Sequence, residues 1–193
     1  KFLDHTKLFA ELDTYLKSVK QSGAWDENAV VGTVKAILNH HIGPVPATVT
    51  SGDKKLTPVE YMKQVLKLNP DDYVEFMSLK EKKYWTKAEY DVPDNWWNSA
   101  DYYNVPLDDF MSIIKSSIKK GYSLAIGGDV SESGIMGSKG VAVIPTYDIP
   151  SAYIDENARQ MRFSNGSTTD DHGVHLVGWT EKSNGMWFLI KDS

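Results

Sequence analysis

Apolar side chains recur at helical spacing over residues 6–21, at Leu8, Phe9, Leu12, Tyr15, Leu16 and Val19. This predicts a helix with one buried face. Lys17 and Lys20 near its end, then Ser22-Gly23, fit a C-terminus. Asp26 is placed to cap a second helix, whose stripe is Ala29, Val30, Val34, Ile37, Leu38 and His41; Gly43-Pro44 ends it. His40 and His41 are adjacent and point about 100° apart on a helix, a poor metal pair. One is expected partly buried and the other solvated. Residues 47–56 read as a short exposed hairpin around Ser51-Gly52-Asp53. Thr57-Pro58-Val59-Glu60 then opens a helix running to about Lys67, with a hydroxyl cap, a proline at the first position and a glutamate three residues after the cap.

Residues 73–79 have strand character, whereas Lys80 to Trp97 is charged and aromatic without a period, with a turn at Val92-Pro93-Asp94-Asn95. A third helix follows Pro106. Leu107, Phe110, Met111, Ile114 and Ile118 form its face, Asp108 and Asp109 sit at its positive end, and Lys115, Lys119 and Lys120 at its negative end. Gly121 stops it. Tyr122 to Ile126 predicts a buried strand broken by Gly127-Gly128, and Gly140 to Ile144 another, ended by Pro145. Residues 129–139 read as a loop. Residues 146–169 are polar, with a short helical signal from Glu156 to Met161, and read as the most mobile segment. The last two strands run from His172 to Trp179 and from Trp187 to Asp192, joined by a polar turn. The pattern predicts an α+β fold: residues 1–120 mainly helical, residues 121–193 mainly strand, with a seam near Gly121 and no internal repeat.

Composition narrows the function classes. A chain of 193 residues with 41% hydrophobic and 24% charged positions can bury a core. Its net charge of −5 argues against a nucleic-acid partner, which needs a basic face. The six Trp and ten Tyr are read as core and interface filling. There is no cysteine, which removes disulfides, thiolate metal sites and a thiol nucleophile from these residues. No apolar run approaches the ~20 residues of a membrane span. The chain starts at Lys1 with no signal-peptide core, and is expected to be a mature, processed or truncated piece.

Candidate chemistry gathers in the closing strands. His172 and His175 lie three apart on a predicted strand and point to opposite faces, which argues against joint metal ligation; no metal and no cofactor is expected. No Gly-x-Ser-x-Gly elbow is present, and Gly127-Gly128 opens no phosphate-binding helix. A histidine paired with Asp192 remains, an arrangement that needs only a nucleophile for acyl transfer. Strand parity leaves the histidine open. A two-residue Asn184-Gly185 turn sets Asp192 opposite Val177, on the face of His175. A three-residue Ser183-Asn184-Gly185 loop sets it opposite Leu176, on the face of His172. Neither places it directly opposite a histidine, so twist or a bulge must close the gap.

Asp171-His172-Gly173-Val174-His175-Leu176-Val177-Gly178-Trp179, followed by Trp187-Phe188-Leu189-Ile190-Lys191-Asp192-Ser193, resembles the histidine and asparagine segments of papain-like cysteine peptidases. Those read Asp-His-Ala-Val, then Val-Gly-Tyr, then Ile-Lys-Asn-Ser-Trp-Gly. Thr57 to Tyr61, Val92 to Trp96 and Tyr122 to Val130 are similar to the bleomycin hydrolase and aminopeptidase C branch, in particular its bacterial C1-like members. The resemblance implies a partial papain-like fold, a helical insertion followed by an antiparallel barrel-like half-domain. It implies His172 as the catalytic histidine and Asp192 in the place of the orienting asparagine. Asp171 would offer its backbone carbonyl to a peptide substrate, Gly173 and Ala125 would line the main specificity pocket, and His175 would be structural. The aspartate departs from the family pattern: its charge favours the protonated ring more than asparagine does, and supports a thiolate–imidazolium pair or marks a weakened enzyme.

By the same resemblance, the nucleophilic cysteine and the oxyanion glutamine fall before Lys1. The Trp-Gly and the C-terminal arm that enforces exopeptidase cleavage fall beyond Ser193. The chain alone is then expected to be inactive, with the Cys-bearing N-terminal half of the same protein as its partner. A non-catalytic papain-like protein that binds peptides or partners is the alternative. Oligomers are common in the branch, and the aromatic helical region is a candidate homo-oligomer interface. The compartment stays open: relatives of this sequence character are often exported, a lean to extracytoplasmic bacterial, while bleomycin hydrolases are cytosolic.

Overall fold

The computed structural model describes residues 4–147 and 149–192. Lys1 and Ser193, the ends discussed above, lie outside the described residues. The chain forms two compact units, Lys1–Pro70 and Asp71–Ser193.

In the first unit, α1 (Thr6–Ser22) and α2 (Glu27–Ile42) pair through Leu8, Val19 and Ile37, all buried. The Asp26 carboxylate caps α2 by accepting from the Ala29 amide at 2.8 Å. Gly23 ends α1 in the left-handed region, at φ 67°. His41 Nε2 lies 2.6 Å from Glu11 on α1, while His40 stays exposed, the division expected of the two histidines. The hairpin β1 (Val49–Ser51) and β2 (Lys54–Leu56) leads into α3 (Pro58–Tyr61), which continues as a π-turn over Met62–Leu66. Its capping box is complete. The Glu60 amide donates to Thr57 Oγ1 at 3.2 Å, and the Thr57 amide donates to Glu60 Oε2 at 2.7 Å.

The second unit opens with a mixed sheet in which β5 (Tyr102–Asn104) lies between β3 (Phe76–Met77), parallel to it, and β4 (Thr86–Ala88), antiparallel. The aperiodic stretch after Lys80 is organised by one side chain. Asn104 is wholly buried, accepts from the Leu79 amide at 2.8 Å, and donates to the carbonyls of Leu79 (2.8 Å) and Lys82 (2.9 Å). Then α4 (Leu107–Lys119) packs Ile114 and Ile118 on a sheet of order β10-β9-β6. That sheet is antiparallel throughout and consists of β6 (Leu124–Gly128), β9 (His172–Lys182) and β10 (Gly185–Lys191), with a small ladder of β7 (Ile135–Met136) and β8 (Val141–Ala142) and helix α5 (Glu156–Ser164) inserted between β6 and β9.

Several expectations change. The units divide after Pro70, whereas the sequence pattern placed a seam near Gly121. α4 shares its core with Leu176, Leu124, Ile126, Met186 and Phe188, so a cut at residue 121 passes through that core. Gly127-Gly128 does not break the strand; both glycines pair in β6, opposite Gly173 and His172. The segment read as most mobile is tied down: Gln160 is buried, and its Oε1 accepts from the Lys80 amide at 2.7 Å. The barrel-like half-domain is, among the described residues, a set of open two- and three-stranded sheets. No described helix is long and apolar enough to cross a membrane.

Replacing Asn104 by Ala removes the side-chain bonds to the buried Leu79 amide and carbonyl and to the half-buried Lys82 carbonyl, and a buried group left unsatisfied costs ~1–3 kcal/mol. Denaturant unfolding is expected to show a loss of about 3 kcal/mol or more; a loss below about 1 kcal/mol contradicts this role.

Candidate active site

The geometry starts from the strand ladder. Gly185 pairs with Lys182, so the turn is the two-residue Ser183-Asn184 connection, neither of the two expected. Asn184 Oδ1 closes it by accepting from Trp187 Nε1 at 2.8 Å. From there β10 alternates regularly, and Met186 and Phe188 point to α4. Their partners Glu181 and Trp179 share that face: Lys119 of α4 lies 3.4 Å from Glu181 and 5.0 Å from the Trp179 ring. The register then shifts between Leu189 and Ile190. Leu189 pairs with Gly178 but Ile190 with Leu176, so β9 carries one extra residue, a β-bulge at Val177.

The bulge selects the histidine. In unshifted register Asp192 would fall opposite His175. With the bulge, one further step beyond Lys191–His175 sets Asp192 level with Val174, on the face shared by His172, Val174 and Leu176. There the two side chains meet: His172 Nε2 donates to Asp192 Oδ1 at 2.7 Å, since an ionised carboxylate can only accept. The pair sits at an open edge, with side chains 34% and 63% exposed. The hydrogen bond from the ring to Asp192 holds the imidazole above its ordinary pKa, aided by the charge of Asp192 and more weakly of Asp171. His175 is exposed on the other face, opposite Ala125.

The remaining candidates separate. Asp171 immediately precedes His172. Its amide donates to the Gly128 carbonyl at 3.0 Å, and its Oδ1 accepts from the Val130 amide at 3.2 Å. Gly173 and Ala125 are exposed on the face opposite the His172 ring, Gly173 paired with Gly127. Gly173 has open space where a side chain would stand. The structure thus brings His172, Asp192 and Asp171 to one edge and sets Gly173 and Ala125 on the reverse of the strands.

Two carboxylates near this edge escaped the sequence reading. Asp170 is half-buried; burial first, then the charge of Asp94, raises its pKa. The Tyr90 phenol is its neighbour, and burial first, then the charge of that carboxylate, drives the phenol's pKa upward. A Cβ at residue 127 would stand 3.0 Å from Asp170 Oδ1, which accounts for a glycine there. Tyr90 gave no signal, because it lies in the aperiodic stretch. The second residue is Asp129, whose signal was the local Asp-x-Ser turn pattern with Ser131.

An α+β chain with a histidine opening one strand, a carboxylate closing its neighbour and a helix packed beneath has the organisation of the papain-like class. Residues 50–191 match the Peptidase C1-like family, and the chain belongs to it. No curated protein matches. In three dimensions the chain is similar to PepW from Lactobacillus rhamnosis HN001 (DR20), with a TM-score of 0.57 at 17% identity. The likeness covers 96% of this chain and 47% of that one, so the chain spans about half the length of that structure.

Asp192→Ala is expected to bring the His172 titration down toward ~6.5, read by NMR of the ring protons. Because the native value is raised, the pair's contribution to stability is fully present below the unfolded value and is lost as pH rises through the native one. Denaturant melts of parent and variant should therefore differ at about pH 5.5 and converge in alkali. An unchanged titration in the variant would show that Asp192 does not set the ring's state.

Proposed function

We propose that this chain is the C-terminal part of a cysteine peptidase, aminopeptidase-like in branch, whose nucleophile lies outside these residues. The observation that carries the reading is the His172–Asp192 pair, held on one strand face by the bulge. Asp192 takes Nε2, which assigns Nδ1 to the nucleophile. In the proposed cycle a cysteine thiolate attacks the scissile carbonyl carbon, and the imidazolium gives its Nδ1 proton to the departing amine. The neutral ring then takes a proton from the water that cleaves the acyl-enzyme, and the thiolate leaves. Asp192 holds the ring's orientation and favours its protonated form, which a thiolate–imidazolium pair requires.

The Asp171 carbonyl is assigned to the substrate backbone. Gly173 and Ala125 are assigned to the walls that receive a substrate side chain on the reverse face, where both leave room. The barrel-like closure of the half-domain is assigned to strands outside this chain. Family membership and the half-length match to PepW support these assignments.

In the complete protein, iodoacetamide at mild pH should label a single cysteine facing His172, and His172→Ala should lower kcat by about 10²–10⁴. A serine, glycine or alanine facing the ring favours the non-catalytic, peptide-binding reading and removes the peptidase. Parental turnover by His172→Ala removes the assigned role of the histidine.

A further inference from the structure

Past the last ladder pair, Gly128–His172, the chains of β6 and β9 separate, yet they stay bound to each other by side chains. Asp129 Oδ2 accepts from the Thr169 amide at 2.7 Å and from the Thr169 hydroxyl at 3.3 Å. Its other oxygen, Oδ1, accepts from the amide and the hydroxyl of Ser131, both at 2.6 Å. Asp171 returns the contact, accepting from the Val130 amide at 3.2 Å. Each segment therefore offers a carboxylate to a backbone amide of the other. One turn further on, Glu132 bonds Arg162 and Thr168, which anchors the same loop to α5. The bonds from Ser131 and Thr169 hold the Asp129 carboxyl below the usual carboxylate range, so near neutral pH both of its oxygens are acceptors.

His172 is the first residue of β9 and is paired there on one side only, with Gly128 of β6, because the ladder with β10 ends at Lys191–His175. A strand end without such ties frays. Catalytic geometry tolerates little of that, since a displacement of about 1 Å can cost about 10²-fold in rate. We propose that Asp129 is a positioning residue for the His172 imidazole: by fastening Thr169 and Ser131 it fixes the backbone from which the ring reaches both Asp192 and the nucleophile. The proposal rests on the peptidase reading above. It adds a residue that touches neither substrate nor ring and acts through the entry to β9.

The test is Asp129→Asn in the complete protein. The variant is isosteric but keeps one acceptor oxygen, so its amide must face the N–H groups of either Ser131 or Thr169. The expected result is a kcat lower by about tenfold or more, with KM within about threefold. The His172 ring titration should move down toward ~6.5 as its contact with Asp192 loosens. A merely structural role would lower the melting temperature and leave the titration and the kcat-to-KM split at parental values; that result overturns the proposal. Should the Asn variant fail to fold, Asp129→Ala removes the acceptor without setting a donor against two N–H groups, and is judged by the same two measurements. If the parent itself shows no peptidase activity, the peptidase reading falls, and the ring titration alone decides the role of Asp129.

Discussion

The hydrogen-bond ladder between β9 and β10, with its interruption at Val177, sets the geometry on which the site depends. Two hydrophobic demands meet there. Met186 and Phe188 must face α4, and so must Leu176, yet in an unbroken ladder their parities conflict. Burying a large apolar side chain contributes ~1.5–3 kcal/mol, whereas a single hydrogen bond contributes about 1 kcal/mol net. The core therefore wins and one residue is extruded. The same slip carries Asp192 from the face of His175 to that of His172. The packing of a core and the meeting of His172 with Asp192 are thus one structural event.

Local signals in the sequence were reliable where the stabilising contact is itself local. The Asp26 cap, the Thr57–Glu60 box and the face of α4 all depend on residues three or four apart, and each stands as the spacing implied. The long-range polar contacts were not legible. Asn104 organises a turn from 22 to 25 residues away, and no periodicity marks such a residue. Gly127-Gly128 misled for a related reason: glycine usually interrupts a strand, but here the missing side chain admits the Asp170 carboxylate. At the site, residue types and their order could be read through the family motif. The choice between histidines could not be derived from spacing, because it turns on a bulge that only the three-dimensional core imposes.

The carboxylates around the entry to β9 show how position separates identical side chains. Asp170 and Asp171 are neighbours in sequence, yet one is half-buried and the other is exposed and bonded to a loop amide. Desolvation drives the first toward its neutral form, while Asp192 stands 63% exposed, 2.7 Å from the His172 ring. An acidic composition is therefore not one uniform field here. It is a set of separate assignments made by burial.

The hairpin tip has a consequence for how this chain tolerates length change. Ser183-Asn184 lies outside the ladder, which restarts at Lys182–Gly185, so a longer tip leaves every pair below it in place and offers a graft point for a tag or reporter. On the flanking strands the rule is arithmetic. A gain or loss of one residue between the tip and Asp192 exchanges odd for even and hands the carboxylate to the wrong histidine, whereas a change of two restores the face. Single-codon insertions and deletions in this hairpin should thus be sorted by parity as well as by position.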